Sequence, residues 1–229
     1  MNNHEYLYAV NVFDEKYKLV YDKLKSIAVE KSFKKDQHIF MVRDVVEYIY
    51  IVKKGIVTLY GIDKNYNEKI YFLLKTGDFV NDDIVINNEA STSAYAFSDC
   101  ELLCIKKSEI FELMHRNIDV MEFMFRSNIN KLTRTYRQLK NSSTTISIDK
   151  RLGSKFWKLA KDFGENNENG IAINVNVNTI FLAKMLGTTR ETISRSMKKL
   201  CDKGIIVPNH TRIIIKDLDK LMKYIKSEK

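Results

Sequence analysis

The sequence has no apolar run long enough to form a membrane span or a signal-peptide core, from "MNNHEYLYAVNVFDEK" onward. A cytoplasmic protein with no membrane partner is the expectation. Cysteine is scarce: Cys100, Cys104 and Cys201 form an odd set without CxxC spacing. That pattern makes a poor disulfide framework and a poor metal site, and it predicts reduced thiols. There is no Gly-rich phosphate loop ahead of a helix, no nucleophile motif and no metal-ligand spacing, so an enzyme is not expected.

What is present is ample core material and a lopsided charge. Hydrophobic residues make up 45% of the 229, enough for one large domain or two modest ones. Residues 1–140 carry 21 Lys and Arg against 20 Asp and Glu, whereas residues 141–229 carry 17 against 9. Nearly all of the net charge of +9 therefore lies in residues 141–229. A basic surface gathered in one segment suits phosphate binding, because cationic side chains release the counterions condensed on nucleic acid.

Three parts follow one another, and together they predict an α+β protein. Residues 1–116 hold short runs rich in β-branched and aromatic residues, "EYIYIV", "GIVTLYG", "KIYFLL" and "CELLCIK", separated by turn-formers. They predict an antiparallel β-barrel or sandwich. Ahead of these runs Tyr17, Val20, Tyr21, Leu24 and Ile27 stand at helical spacing, so a helix should pack on the β domain. Residues 117–141 form the second part, one long helix. Ile118, Met121, Phe125, Ile129, Leu132, Tyr136 and Leu139 recur in steps of three and four, which gives a single apolar seam. A seam exposed in its later turns predicts a two-helix dimer interface.

"NSSTTIS" at 141–147 reads as a hinge into the third part, residues 142–229. A helix follows, with Leu152, Phe156, Leu159, Ala160 and Phe163 on one face, Trp157 expected in the core and Gly164 as its stop. "NTIFLAKMLG" is bounded by Asn178 and Thr179 at one end and Gly187 at the other, and predicts a helix of little more than two turns. Thr188 and Glu191 stand in the T-x-x-E arrangement of a capping box, so the next helix should start at Thr188.

At about 100° per residue, Arg190, Ser194, Lys198, Glu191 and Arg195 share one arc, and Ile193, Met197 and Leu200 share another. Two short helices joined by a Gly-containing turn, with Ala183 allowing a close crossing, make a helix-turn-helix. Its second helix suits a DNA major groove. Arginine can span the O6 and N7 of guanine and glutamate can accept from the N4 of cytosine. Arg190, Glu191 and Arg195 are thus candidate base readers, Ser194 shares their arc, Thr179, Thr192 and Lys198 suit phosphates, and Thr189 completes the DNA-binding set. "GIIVPNHTRIIIKD" predicts a hairpin wing around Pro208. His210 on that wing has no second ligand at suitable spacing.

At these residues the sequence resembles the Crp/Fnr family of bacterial transcription regulators. The likeness covers nearly the whole chain and is most specific at "TRETISR". The resemblance implies a cyclic-nucleotide-binding-like β-barrel, a dimerisation helix and a winged helix-turn-helix. It further implies a homodimer on double-stranded DNA, half-sites related to TGTGA, and RNA polymerase as a partner. Ser196 departs from the family, which has an apolar residue there. Residues 1–116 would be the sensor part.

The effector is left open. The family's phosphate cassette begins with Gly-Glu and ends with Arg-Ser or Arg-Ala; here Gly77 and Asp78 begin it, and no arginine occurs between Arg43 and Arg116. A cyclic phosphate would lack its charge-assisted partner and would face Asp82, Asp83 and Glu89, so cyclic AMP is not expected. An iron-sulfur cluster would need four cysteines, and none precedes Cys100. Haem would need an axial His, and nothing singles out His4, His38 or His115. An unidentified small molecule, or no ligand at all, remains. Asp36 and Arg43 stand where the family has glycines, which predicts altered loops. The rival reading is a sensor whose winged helix docks on a protein, with little dependence on salt.

Overall fold

The computed structural model of the chain describes residues 15–85, 88–142, 146–209 and 212–227. Two compact units form: residues up to 62 together with 71–137, and residues 63–70 together with those from 138 onward.

The first unit runs through α1 (Glu15–Ile27), β1 (Val29–Phe33), β2 (His38–Phe40), β3 (Tyr48–Lys54), β4 (Val57–Ile62), β5 (Glu68–Leu74), β6 (Ser93–Ala96), β7 (Cys100–Lys106), α2 (Lys107–Arg116) and α3 (Ile118–Asn141). Its strands pair as two sheets, in the orders β1-β7-β3 and β2-β6-β4-β5, and both contribute to one core. Leu102, Leu103, Cys104 and Ile105 of β7 are all buried. A strand reads as a continuous apolar run when both its faces are covered. Here α1 and α2 lie against β7, and Tyr17, Val20, Leu24 and Ile110 join the strands in the core.

Asp36 and Arg43 adopt the left-handed conformation without glycine, at φ 65° and 72°. That region is the one glycine enters most readily, and here two side-chain-bearing residues occupy it. Each costs about 1–2 kcal/mol against a right-handed residue. Backbone bonds hold both in place: the Asp36 amide donates to Ala96 at 2.7 Å and the Arg43 amide to Ala90 at 2.8 Å.

α3 buries Val120, Phe123 and Met124 and presents its other side outward. The Phe123 ring lies 5.5 Å from both Tyr17 and Phe79. Two turns further on, the Lys131 ammonium pairs with Asp82, whose side chain is fully buried. Removing one partner of a buried ion pair leaves an uncompensated charge and costs about 3–5 kcal/mol. Lys131→Met should therefore lower the melting temperature of this unit by roughly 10 °C or more. Adding Asp82→Asn should recover most of the loss, and a thermal melt of both variants checks this.

The second unit contains α4 (Ile148–Phe163), β8 (Gly164–Asn167), β9 (Gly170–Ile173), α5 (Thr179–Leu186), α6 (Arg190–Asp202), β10 (Ile206–Asn209), β11 (Arg212–Ile215) and α7 (Leu218–Lys226). Its sheet has the order β10-β11-β9-β8. α4 buries Leu152, Phe156, Leu159 and Ala160. Trp157 departs from the expected core position: it is half-buried, with the Lys161 ammonium 5.2 Å from its ring centre. On a helix it sits next to Phe156 at the border of the apolar face, where only one side of an indole can pack. Gly164 does end α4, but in an extended conformation, because it also begins β8. Of the hinge segment, residues 143–145 lie outside the described residues.

Candidate nucleic-acid interface

α5 is bounded as its sequence requires. The Asn178 side chain accepts from the Phe181 amide at 2.8 Å, and Gly187 closes the helix in the left-handed region at φ 63°, ψ 53°. The Gly187 and Thr188 amides both donate to the Ala183 carbonyl, which satisfies an orphan acceptor of the last turn. Thr188 is thereby consumed in closing α5, so α6 starts one residue later than the T-x-x-E pattern indicates. The observed N-cap is Thr189, whose hydroxyl accepts from the Thr192 amide at 3.2 Å. Glu191 is held below the usual carboxylate range first by its own backbone amide and then by the Thr189 hydroxyl. The capping box expected from Thr188 and Glu191 therefore does not form: three residues after the observed N-cap stands Thr192, and Glu191 lies in the first turn of α6.

Arg190, Glu191, Ser194, Arg195 and Lys198 are all exposed, while Ile193, Ser196 and Leu200 are buried and Met197 is half-buried. Ser196 therefore sits at the edge of the apolar face, where the family pattern has an apolar residue. Thr189 is exposed, and Thr192 and Thr179 are half-buried at the N-terminal ends of α6 and α5. The Arg195 guanidinium rests 3.4 Å from the Thr192 hydroxyl. α6 thus presents long cationic side chains from its first turns, where its free amides also favour anions. β10 and β11 pair antiparallel as the expected wing. His210 lies outside the described residues. Exposed Arg212, the first residue of β11, lies 3.9 Å from the Glu165 carboxylate and adds a cation to the hairpin that no sequence motif marks.

In the first unit, Gly77 takes φ 89° and donates to Val52 at 2.8 Å. Burial pushes the Asp78 carboxyl up, against the pull of its backbone bond from Lys75 and of Arg134 and Lys131. Asp82 does not stand as an unopposed negative charge, as its sequence position suggested, because Lys131 meets one of its oxygens. The other oxygen, Oδ2, has no hydrogen-bond partner among the described residues. Asp83 and Glu89 are exposed. The Arg134 guanidinium lies 4.6 Å over the Phe72 ring. Lys131 and Arg134 thus reach this region from α3, some fifty residues later in the chain, where no local signal in the sequence marks them.

Among the described residues no group of three or more His, Cys, Asp and Glu side chains is arranged to hold a metal ion. Burial pushes the Cys100 and Cys104 thiols up to about 11, which disfavours the thiolate a metal needs. His38 lies 3.3 Å from the Tyr60 hydroxyl and His115 is 2.8 Å from the Phe111 carbonyl oxygen. His4 is outside the described residues. Among the described residues no helix is long and apolar enough to cross a membrane.

The family model for the cyclic nucleotide-binding domain matches residues 30–117, and that for the Crp-like helix-turn-helix domain matches residues 150–224. The chain belongs to the Crp/Fnr family. This Crp/Fnr protein is 23% identical over 209 residues to an anaerobic regulatory protein of Bacillus subtilis, covering 88% of this chain and 86% of the relative. It is 25% identical over 171 residues to the cAMP-activated global transcriptional regulator CRP of Pasteurella multocida, covering 74% and 81%. FixK2 from Bradyrhizobium japonicum shares the fold with a TM-score of 0.77 at 18% identity, over 89% of this chain and 99% of that one. A CooA mutant from Carboxydothermus hydrogenoformans does so at 0.75 and 20%, over 89% and 90%. The protein is a DNA-binding regulator of transcription of the Crp/Fnr type, and its relatives are regulators, not enzymes.

Proposed function

We propose that this regulator acts as a homodimer in which two copies of α6 read a pseudo-palindrome related to TGTGA, and that it does so without cyclic AMP. The observation that carries the dimer is the α3 seam. Ile118, Met121, Phe125, Ile129, Leu132, Tyr136 and Leu139 are all exposed in the single chain, at 38% to 67%, while Val120, Phe123 and Met124 on the opposite side of the first turns are buried. Seven large apolar side chains in one stripe would leave hundreds of Å² of apolar surface in water, and a two-fold pairing with the same stripe covers it. The pairing would set the two recognition helices one helical turn of DNA apart.

Base reading rests on the exposed arc: Arg190, Glu191 and Arg195 toward base edges, Ser194 beside them, Thr179, Thr192 and Lys198 toward phosphates, and Thr189 at the DNA-facing start of α6. RNA polymerase is the partner that a DNA-bound regulator of this family would engage. The case against cyclic AMP now stands on Asp82 as well as on the missing arginine. Lys131 is already committed to that carboxylate, so a buried cyclic phosphate would have to displace one anion to pair with the cation. Titrating cyclic AMP into the purified protein should give no binding heat and no rise in melting temperature. Saturable binding in the micromolar range would overturn this part of the reading. The effector is then a small molecule of other chemistry, or none is needed.

A further inference from the structure

The first turn of α4 makes contacts that neither base reading nor dimer pairing uses. Arg151 Nη2 donates at 2.7 Å to the carbonyl oxygen of Leu186, the last residue of α5. Asp149, only 7% exposed, accepts from the Tyr224 hydroxyl of α7 and lies 3.1 Å from the Lys199 ammonium of α6. Lys203, just past α6, sits 5.4 Å from the Tyr224 ring centre. One turn of one helix therefore grips the end of α5, the third turn of α6, and α7.

These contacts differ in kind from the packing around them. Apolar burial is non-directional and tolerates small rotations of one helix over another, whereas charge-assisted hydrogen bonds fix distance and angle. Arg151 also satisfies a carbonyl that the end of α5 leaves free, next to the turn that sets the crossing of α5 and α6. The three titratable groups behave as one network. Burial and then the hydrogen bond to Asp149 raise the Tyr224 hydroxyl, and the Asp149 hydrogen bond raises Lys199. Asp149, although burial pushes it up, ends below the usual carboxylate range through bonds from Tyr224, Lys199 and Ser147.

The first turn of α4 is also the first helical turn of the second unit after α3 ends at Asn141. We propose that this turn is a positioning clamp for DNA reading: Arg151 and the Asp149–Lys199–Tyr224 cluster set the angle of α5 and α6. Asp149 and Tyr224 are positioning residues, acting through α6. The proposal rests on DNA reading by α6, and its test has one arm that does not.

In the full-length protein without DNA, Tyr224→Phe and Asp149→Asn should speed amide hydrogen exchange about tenfold in 182–188 and 196–203. Exchange in β9 and β11 should stay unchanged. On DNA, Tyr224→Phe should lower the ratio of affinities for a selected duplex and a scrambled one by about tenfold, with scrambled affinity unchanged. Lys199→Arg, which keeps the charge, should preserve both readouts. Fluorescence of Trp157, the single tryptophan, verifies that α4 is folded in each variant. Exchange that rises uniformly over the unit, or not at all, would overturn the clamp. A wild-type protein preferring no duplex would refute DNA reading, and the exchange arm would still decide the clamp.

Discussion

Leu132→Glu should leave the protein monomeric and lower its affinity for a two-half-site duplex by about a thousandfold, the loss expected when two linked binding events become one. Leu132 stands mid-seam at 44% exposure, with Ile129 and Tyr136 on either side of it along the stripe. In an isologous two-helix pairing the same stripe meets itself, so two carboxylates are brought together. Desolvating them costs several kcal/mol per ion, against the roughly 1.5–3 kcal/mol that burying each leucine contributes. Because the side chain faces water in the single chain, the fold itself should be unaffected. Sedimentation should show a species of 26.8 kDa where the wild type shows twice that mass. A variant that stays dimeric would place the interface elsewhere.

Arg190→Ala should cost about 1–3 kcal/mol at the cognate duplex while sparing random DNA, because a bidentate arginine reads a guanine edge that no other group replaces. Lys198→Ala should weaken both duplexes alike and reduce the salt slope by about one, as loss of a phosphate contact requires. Geometry supports the division. Arg190 opens α6 and is unencumbered by side-chain bonds in the described contacts, whereas Lys198 lies two turns on, along the same arc. Fluorescence anisotropy on cognate and scrambled duplexes separates the two outcomes. Equal losses on both duplexes for Arg190→Ala would make it a phosphate contact.

The winged helix was legible where residue chemistry is local. Asn178 and Gly187 mark α5 because caps have few alternatives, and the two β-branched runs around Pro208 mark the wing. The capping of α6 was misplaced by one residue because the Thr188 amide closes the preceding helix, a competition between neighbouring elements that spacing alone does not weigh. β8, β9 and α7 went unread, although "NENGIAI" carries a turn followed by an apolar run, and Leu218, Leu221, Met222 and Ile225 stand at helical spacing. The seam of α3 was readable because seven residues repeat one period. The Lys131–Asp82 pair was not, since an ion pair spanning forty-nine residues leaves no periodic trace.

Selection of bound duplexes from a random pool by the wild-type protein, followed by sequencing, puts dimeric base reading to its most direct test. It should enrich a two-fold symmetric motif whose half-sites lie about 10–10.5 base pairs apart, centre to centre, with TGTGA-like bases in each. Enrichment of no motif, or of a single asymmetric one, would contradict it.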